Sequence, residues 1–125
     1  MAIDSILSNA VSQIAGAIQK AAQSTGISFE YLLTTARIES NLNPTAQAST
    51  SSAKGLYQFI DQTWLGTMKQ DGPALGFSRY ADAITQTADG RYEVADPNMR
   101  AAIMRLRNDP TASAMLAGAF SRANA

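Results

Sequence analysis

From Ile3 to about Ser24 the apolar residues Ile3, Leu7, Ala10, Val11, Ile14, Ile18 and Ala21 recur three or four positions apart, and the same spacing returns between breaks of glycine and proline down most of the chain. That period marks amphipathic helices and commits the chain to a mainly helical fold. The breaks set the boundaries. Thr25-Gly26 ends the first segment, since glycine is favoured just past a helix C-terminus. Ser28 predicts an N-cap for a helix that begins at Phe29, carries Leu32, Leu33, Ala36 and Ser40 on one face, and is closed by Asn43-Pro44. Residues 45–54, rich in Ser, Thr and Ala without a period, predict a loop, and Gly55-Leu56-Tyr57-Gln58-Phe59 predicts a compact apolar stretch, extended or in a short helical turn. Asp61 reads as the N-cap of a helix through Trp64, Leu65 and Met68 that stops at Gly72-Pro73. A short helix around Tyr80 to Thr85 and a turn at Asp89-Gly90 follow. Asp96-Pro97 and Asp109-Pro110 then repeat one signal, a capping residue with proline at the first helical position. The helices they open carry Met99, Ile103 and Leu106, then Met115, Leu116 and Phe120. With no long alternating pattern and no internal repeat, the expectation is an all-α domain of orthogonal or bundled helices.

At 125 residues, 46% of them hydrophobic, the chain predicts a single domain over residues 1–125 with a core of its own. Its composition narrows the chemistry. It has no cysteine, which excludes disulfides and thiol nucleophiles, and no histidine, which excludes the Ser/His/Asp triad and nearly every catalytic metal site. Neither metal nor cofactor is therefore expected, and carboxylates remain as the acid/base groups. Ten Lys plus Arg against ten Asp plus Glu gives net charge zero, so nucleic acid is not an expected partner. No apolar run approaches the roughly 20 residues that span a bilayer. The start lacks a basic region and carries Asp4, so it reads as a mature or trimmed chain of a soluble protein with no visible export signal.

Only three glutamates occur, at 30, 39 and 93. Glu30 falls in a first helical turn, where the helix dipole alone accounts for a carboxylate. Glu39 comes seven residues after Leu32 and three after Ala36, which puts it about 20° from Leu32 around the helix, on the apolar stripe. A carboxylate turned toward a core is either ion-paired or protonated. The protonated form is what a general acid needs; pairing with Arg37, or fraying into solvent, is the plainer alternative.

Around Glu39 stands an ordered series: Glu39-Ser40-Asn41-Leu42-Asn43-Pro44-Thr45-Ala46, then Ser49, then Ala53-Lys54-Gly55-Leu56-Tyr57-Gln58-Phe59, with Thr63-Trp64 following. This series resembles the lytic transglycosylase (soluble lytic murein transglycosylase, SLT) family, whose fold is lysozyme-like. The stretch from Asp96 to Phe120, with Leu106-Arg107-Asn108-Asp109-Pro110, is similar to a bacterial branch of such proteins. The resemblance implies cleavage of the β-1,4 bond between N-acetylmuramic acid and N-acetylglucosamine, with Glu39 as acid and then base and with an anhydro sugar as product. It implies peptidoglycan glycan strands as the partner, a periplasmic or cell-wall location, and a monomer.

By the same resemblance Ser49 bonds the substrate or the catalytic carboxylate, and the Gln58 amide bonds saccharide groups. Gly55 lets backbone come close to the site, and Tyr57 stands where relatives have Met, as a wall on which a sugar can stack. Tyr80, with Tyr92, is a candidate for a further aromatic wall. Plainer readings stand beside these: a loop serine for Ser49, core filling for Tyr57, core positions for Phe59 and Trp64, and a helix cap for Asp61, which with Asp82 is the conceivable second carboxylate. The family pattern is broken at two places. The interval from Glu39 to Gly55 is longer by a single residue, and Ser52 replaces a usual glycine. Relatives also continue beyond the position of Ala125 into a helix with a tyrosine motif. The expected fold is thus a lysozyme-like helical domain that lacks this final helix, through trimming or with a more open cleft. Three other functions stay open: a muramidase that uses water, an inactive lysozyme-like module that binds glycan or a secretion-system or phage assembly partner, and a plain helical interaction domain.

Overall fold

The structure, a computed structural model, describes the backbone of residues 2–125 and the side chains of residues 8–125. Six helices and one small hairpin succeed one another as α1 (Ala2–Thr25), α2 (Phe29–Ser40), α3 (Asp61–Asp71), α4 (Ser78–Asp82), β1 (Ile84–Gln86), β2 (Tyr92–Val94), α5 (Pro97–Arg105) and α6 (Pro110–Ala123). Single 3-10 turns at Pro73–Leu75 and Leu106–Asn108 sit between them. The mainly α, lysozyme-like class expected from the sequence is the one observed. No helix among the described residues is long and apolar enough to cross a membrane.

Local chemistry explains most of the boundaries. Ser28 Oγ accepts the Tyr31 N–H at the start of α2. Asp96 accepts from Asn98 and Met99, and Asp109 from Thr111 and Ala112, with proline at the first turn of α5 and α6. Gly26 ends α1 with φ 77°. Ile3 and Leu7, expected on the α1 stripe, lie outside the residues whose side chains are described, while Val11 is exposed and the stripe enters the core at Ile14, Ile18 and Ala21.

The core gathers around α6, in which every residue from Ala112 to Ala119 is buried. A helix covered on all sides needs uncharged residues that are small or apolar around its whole circumference, and the run Ala-Ser-Ala-Met-Leu-Ala-Gly-Ala supplies them. Its main neighbour is α1, to which Arg122 Nη1 adds a bond at the Thr25 carbonyl, 3.1 Å. Trp64 of α3 is fully buried, and its Nε1–H donates to the Ile103 carbonyl of α5 at 2.8 Å, which satisfies the one polar atom of the indole.

Three expectations are corrected. In place of a helix from Tyr80 to Thr85, the chain forms α4 and then turns into β1, paired antiparallel with β2 in the register Ile84↔Val94, Thr85↔Glu93 and Gln86↔Tyr92. Burial of Ile84 and Val94 at one end of the ladder outweighs the weak helical signal. Helix α2 stops at Ser40, before Asn43-Pro44, because Asn41 and Leu42 both take left-handed backbone, φ 54° and 62°. Asp61 is the first residue of α3 and not its cap; Ile60 holds the cap position without a side-chain bond, and the Asp61 carboxylate is drawn to guanidinium partners instead.

Candidate active site

A cleft of about 340 Å³ opens between α2, the turn that leads into α3, and α6. Helix α2 contributes Tyr31, Thr35 and Glu39, each one four-residue step after the last, so one edge of the helix forms one wall. Tyr57, Gln58, Phe59, Ile60 and Thr63 form the facing wall, and Ala117 and Phe120 of α6 close the space between them.

Glu39 is exposed, whereas Leu32 and Ala36 on the same helix are fully buried. The angular position read from the period is correct, but the last turn of α2 runs past the core, so the same direction that buries Leu32 opens onto the cleft at Glu39. The expected burial toward the core is thereby corrected. Among the described residues the Glu39 side chain makes no hydrogen bond or ion pair, and the alternative of an Arg37 partner is not observed. The next residue is anchored: Ser40 Oγ donates to the Leu56 carbonyl at 2.7 Å and also lies 3.1 Å from the Ala36 carbonyl, which ties the end of α2 to the opposite wall.

That opposite wall is held from behind by Arg107, a nearly buried guanidinium. Its Nη1 donates to the Ser52 carbonyl at 2.7 Å and the Phe59 carbonyl at 3.0 Å, and its Nε donates to the Met104 carbonyl at 3.2 Å. Asp61 Oδ1 lies 3.0 Å from Nη1, and Asp61 Oδ2 lies 3.6 Å from Arg100. Burial pulls the Arg107 pKa below the ordinary arginine value, and the neighbouring Asp61 carboxylate opposes that fall. Gly55 has φ 89°, and a Cβ on it would run into the Arg107 carbonyl oxygen. The close approach at Gly55 is therefore to Arg107, whereas the sequence reading put it at the site.

Gln58 also has left-handed backbone, φ 54°, and its amide Nε2 donates to the Ala46 carbonyl at 3.0 Å and the Gly55 carbonyl at 2.9 Å. Its donors are thus spent on shaping the wall, which leaves Oε1 as the atom free to meet a ligand. Tyr57 is buried, and its hydroxyl donates to the Leu32 carbonyl at 2.9 Å; burial pushes the phenol pKa well above its ordinary value. The non-glycine residues with positive φ among those described are Asn41, Leu42 and Gln58. All three adjoin the cleft in sequence, and such conformations, at about 1–3 kcal/mol each, gather at functional sites.

The structure brings Glu39, Tyr57 and Gln58 together at one cleft, with Gly55 packed behind them. It does not bring Ser49, which is exposed on the 45–54 loop outside the cleft lining, a segment ordered by the pairing of Gln47 with Lys54. Nor does it bring Tyr80, which packs in α4 against Phe77 and beneath Arg79. Trp64 is core, and Phe59 stands edge-on to both Trp64 and Phe120 while lining the cleft. Sequence reasoning missed Tyr31 and Thr35, which the four-residue spacing to Glu39 would have found, and Arg107, whose partners are remote in sequence.

Among the described residues Glu39 is the one acidic residue of the cleft lining, beside aromatic rings, hydroxyls and an amide. The set suits a neutral, hydroxyl-rich ligand and a single proton donor. The family model described as Transglycosylase SLT domain matches residues 16–103, a span that holds Glu39, its anchoring serine and all the wall residues from Gly55 to Thr63. No curated protein matches the chain. Members of that family are in general peptidoglycan-cleaving enzymes of lytic transglycosylase type, with the mainly helical, lysozyme-like fold seen here. The chain belongs to the transglycosylase SLT domain family.

Proposed function

We propose that residues 1–125 form one lytic transglycosylase domain that cleaves the N-acetylmuramic acid to N-acetylglucosamine β-1,4 bond of peptidoglycan, in the periplasm or cell wall, as a monomer with Glu39 as its acid/base. In the first half-reaction the Glu39 carboxylic acid gives its proton to the bridging oxygen while the bond from that oxygen to C1 breaks. The substrate's own 2-acetamido oxygen supports the positive charge at C1. In the second, the Glu39 carboxylate takes the proton of the muramoyl 6-hydroxyl as that oxygen bonds C1, which closes the anhydro ring and restores the acid.

The observation that carries this reading is the solitary carboxylate. A hydrolase with two carboxylates needs them about 5 Å apart for retention or roughly 6.5–9.5 Å apart for inversion. Asp61, the conceivable partner nearest in sequence, is engaged by Arg107 and Arg100, and neither it nor Asp82 lines the cleft. Chemistry that borrows a substrate acetamide needs no second acid. Tyr57 and Gln58 support the reading as wall residues, the first by its ring and the second by Oε1; nothing in the placement of Ser49 or Tyr80 supports a direct role for either.

Digestion of purified sacculi followed by mass spectrometry tests it. Anhydromuramoyl ends are expected; reducing ends would instead establish the muramidase. Glu39→Gln is expected to lower turnover by about 10²- to 10⁴-fold, the scale of a lost general acid. Unchanged turnover would remove Glu39 from the chemistry, and murein binding without any cleavage by the wild type would leave an inactive glycan-binding module.

A further inference from the structure

Three of the polar side chains that line the cleft have given their protons to the backbone. Thr35 Oγ1 donates to the Tyr31 carbonyl at 2.8 Å and the Tyr57 hydroxyl to the Leu32 carbonyl at 2.9 Å, while the Gln58 amide nitrogen donates to the Ala46 and Gly55 carbonyls. Two carbonyl partners fix which end of that amide is nitrogen, so its open atom is Oε1. What these side chains keep for a ligand is lone pairs. Glu39 adds a carboxylate one helical turn after Thr35, and among the described residues no Lys or Arg lines the cleft to oppose it. The Tyr31 and Thr63 hydroxyls are the lining side-chain donors that no protein acceptor engages among those residues.

A cleft furnished in this way sorts ligands by the sense of their hydrogen bonds. A ligand atom that can only accept meets lone pairs and leaves both sides unpaired once water is gone, whereas a donor is met by oxygen. The group that suits it best is an ammonium, which has donors, no acceptor, and a charge opposite to that of a carboxylate. In a glycan strand an ammonium is what remains when a 2-acetamido group is hydrolysed to the amine. The sugar that brings C1 to the reaction has to keep its acetamide, whose oxygen supports the charge there, so the amine belongs to the sugar on the leaving side of the bond. We infer that the cleft is selective for strands in which this leaving glucosamine is de-N-acetylated. Tyr31 and Thr63 favour an amino sugar over a basic peptide, because their free hydroxyls call for acceptors such as sugar hydroxyls beside the cation. The inference rests on the glycan-cleaving function proposed above and adds the chemical form of strand that is taken.

Calorimetric titration of the full chain with the tetramer of glucosamine and the tetramer of N-acetylglucosamine reads the preference. It is run in the cold, in mildly acidic buffer that keeps the sugar amines charged, with mass spectrometry to show that both oligomers stay intact. The wild type is expected to bind the amine form about five- to ten-fold more tightly, the scale of one hydrogen bond to a charged group in a partly exposed site. Glu39→Gln keeps the shape and removes the charge, and should abolish the preference. Thr35→Val removes one acceptor and should reduce it about two- to three-fold, while Thr35→Ser keeps it. Thermal melting shows that each variant is folded. Tetraglucosamine should also slow digestion of sacculi by the wild type, as a ligand of the cleft must. Equal or weaker binding of the amine form by the wild type overturns the inference, and so does a preference that Glu39→Gln leaves in place, since another acid would then hold the amines. A Thr35→Val preference equal to that of the wild type overturns the part given to Thr35. If the wild type digests sacculi without favouring the amine form, the inference alone fails; if it digests nothing and binds neither tetramer, the functional proposal fails with it.

Discussion

On one side of the cleft, residues 52–61 are fastened by a buried guanidinium, an interlocked glycine and an amide turned back on its own turn, whereas on the other side Glu39, in the last turn of α2, has no partner of its own among the described residues. The first wall carries the interactions that hold shape, and the second carries the group that would react. A carboxylate tied to a base would have to release that partner before it could accept or donate a proton. Fixing the frame through Arg107 and Ser40 leaves Glu39 both positioned and free.

Substitutions at four positions break or sharpen that contrast, and denaturant unfolding reads them all. Arg107→Met takes the charged donor from the Ser52 and Phe59 carbonyls and the partner from half-exposed Asp61, and is expected to cost about 3 kcal/mol, the scale of two carbonyls left without their donor; Arg107→Lys should recover only part of it, since an ammonium lacks the planar fork. Gly55→Ala forces a side chain into left-handed backbone against a carbonyl, with an expected loss of about 1–3 kcal/mol. Tyr57→Phe deletes the bond to Leu32, for about 1 kcal/mol. It should also change the alkaline limb. The folded phenol holds its proton more tightly than the unfolded one, so the wild type loses stability as pH rises above the ordinary tyrosine value of 10.0, and Tyr57→Phe should lose that part of the slope. Glu39→Gln should move stability by no more than about 0.5 kcal/mol, because the group it replaces makes no bond. A large loss there would place Glu39 in the frame and erase the contrast.

What the sequence discloses follows the range of the interactions involved. Ser28, Asp96 and Asp109 cap their helices through atoms two or three residues away, so the boundaries they set are legible without a structure. The hairpin is not, since Gln62 fixes β2 from 30 positions away and strands of three residues carry almost no pattern. At the site, the helical period correctly gives the bearing of Glu39 but not how far along α2 the core extends, and that distance decides between burial and exposure. Arg107 reads as an ordinary basic residue before Asn108-Asp109-Pro110. Nothing local to it announces two carbonyls and a carboxylate gathered from residues 52–61.

The reach of Arg107 also sets an order of arrival. Its bonds to Ser52 and Phe59 join positions 55 and 48 residues apart, and Ala117 and Phe120 come later still. As the chain is synthesised from its N-terminus, Glu39 therefore emerges long before the pieces that enclose a ligand around it. Contacts of such separation form only once the intervening loop can close. A nascent chain halted before position 107 has the proposed acid without the residues that close the cleft around it.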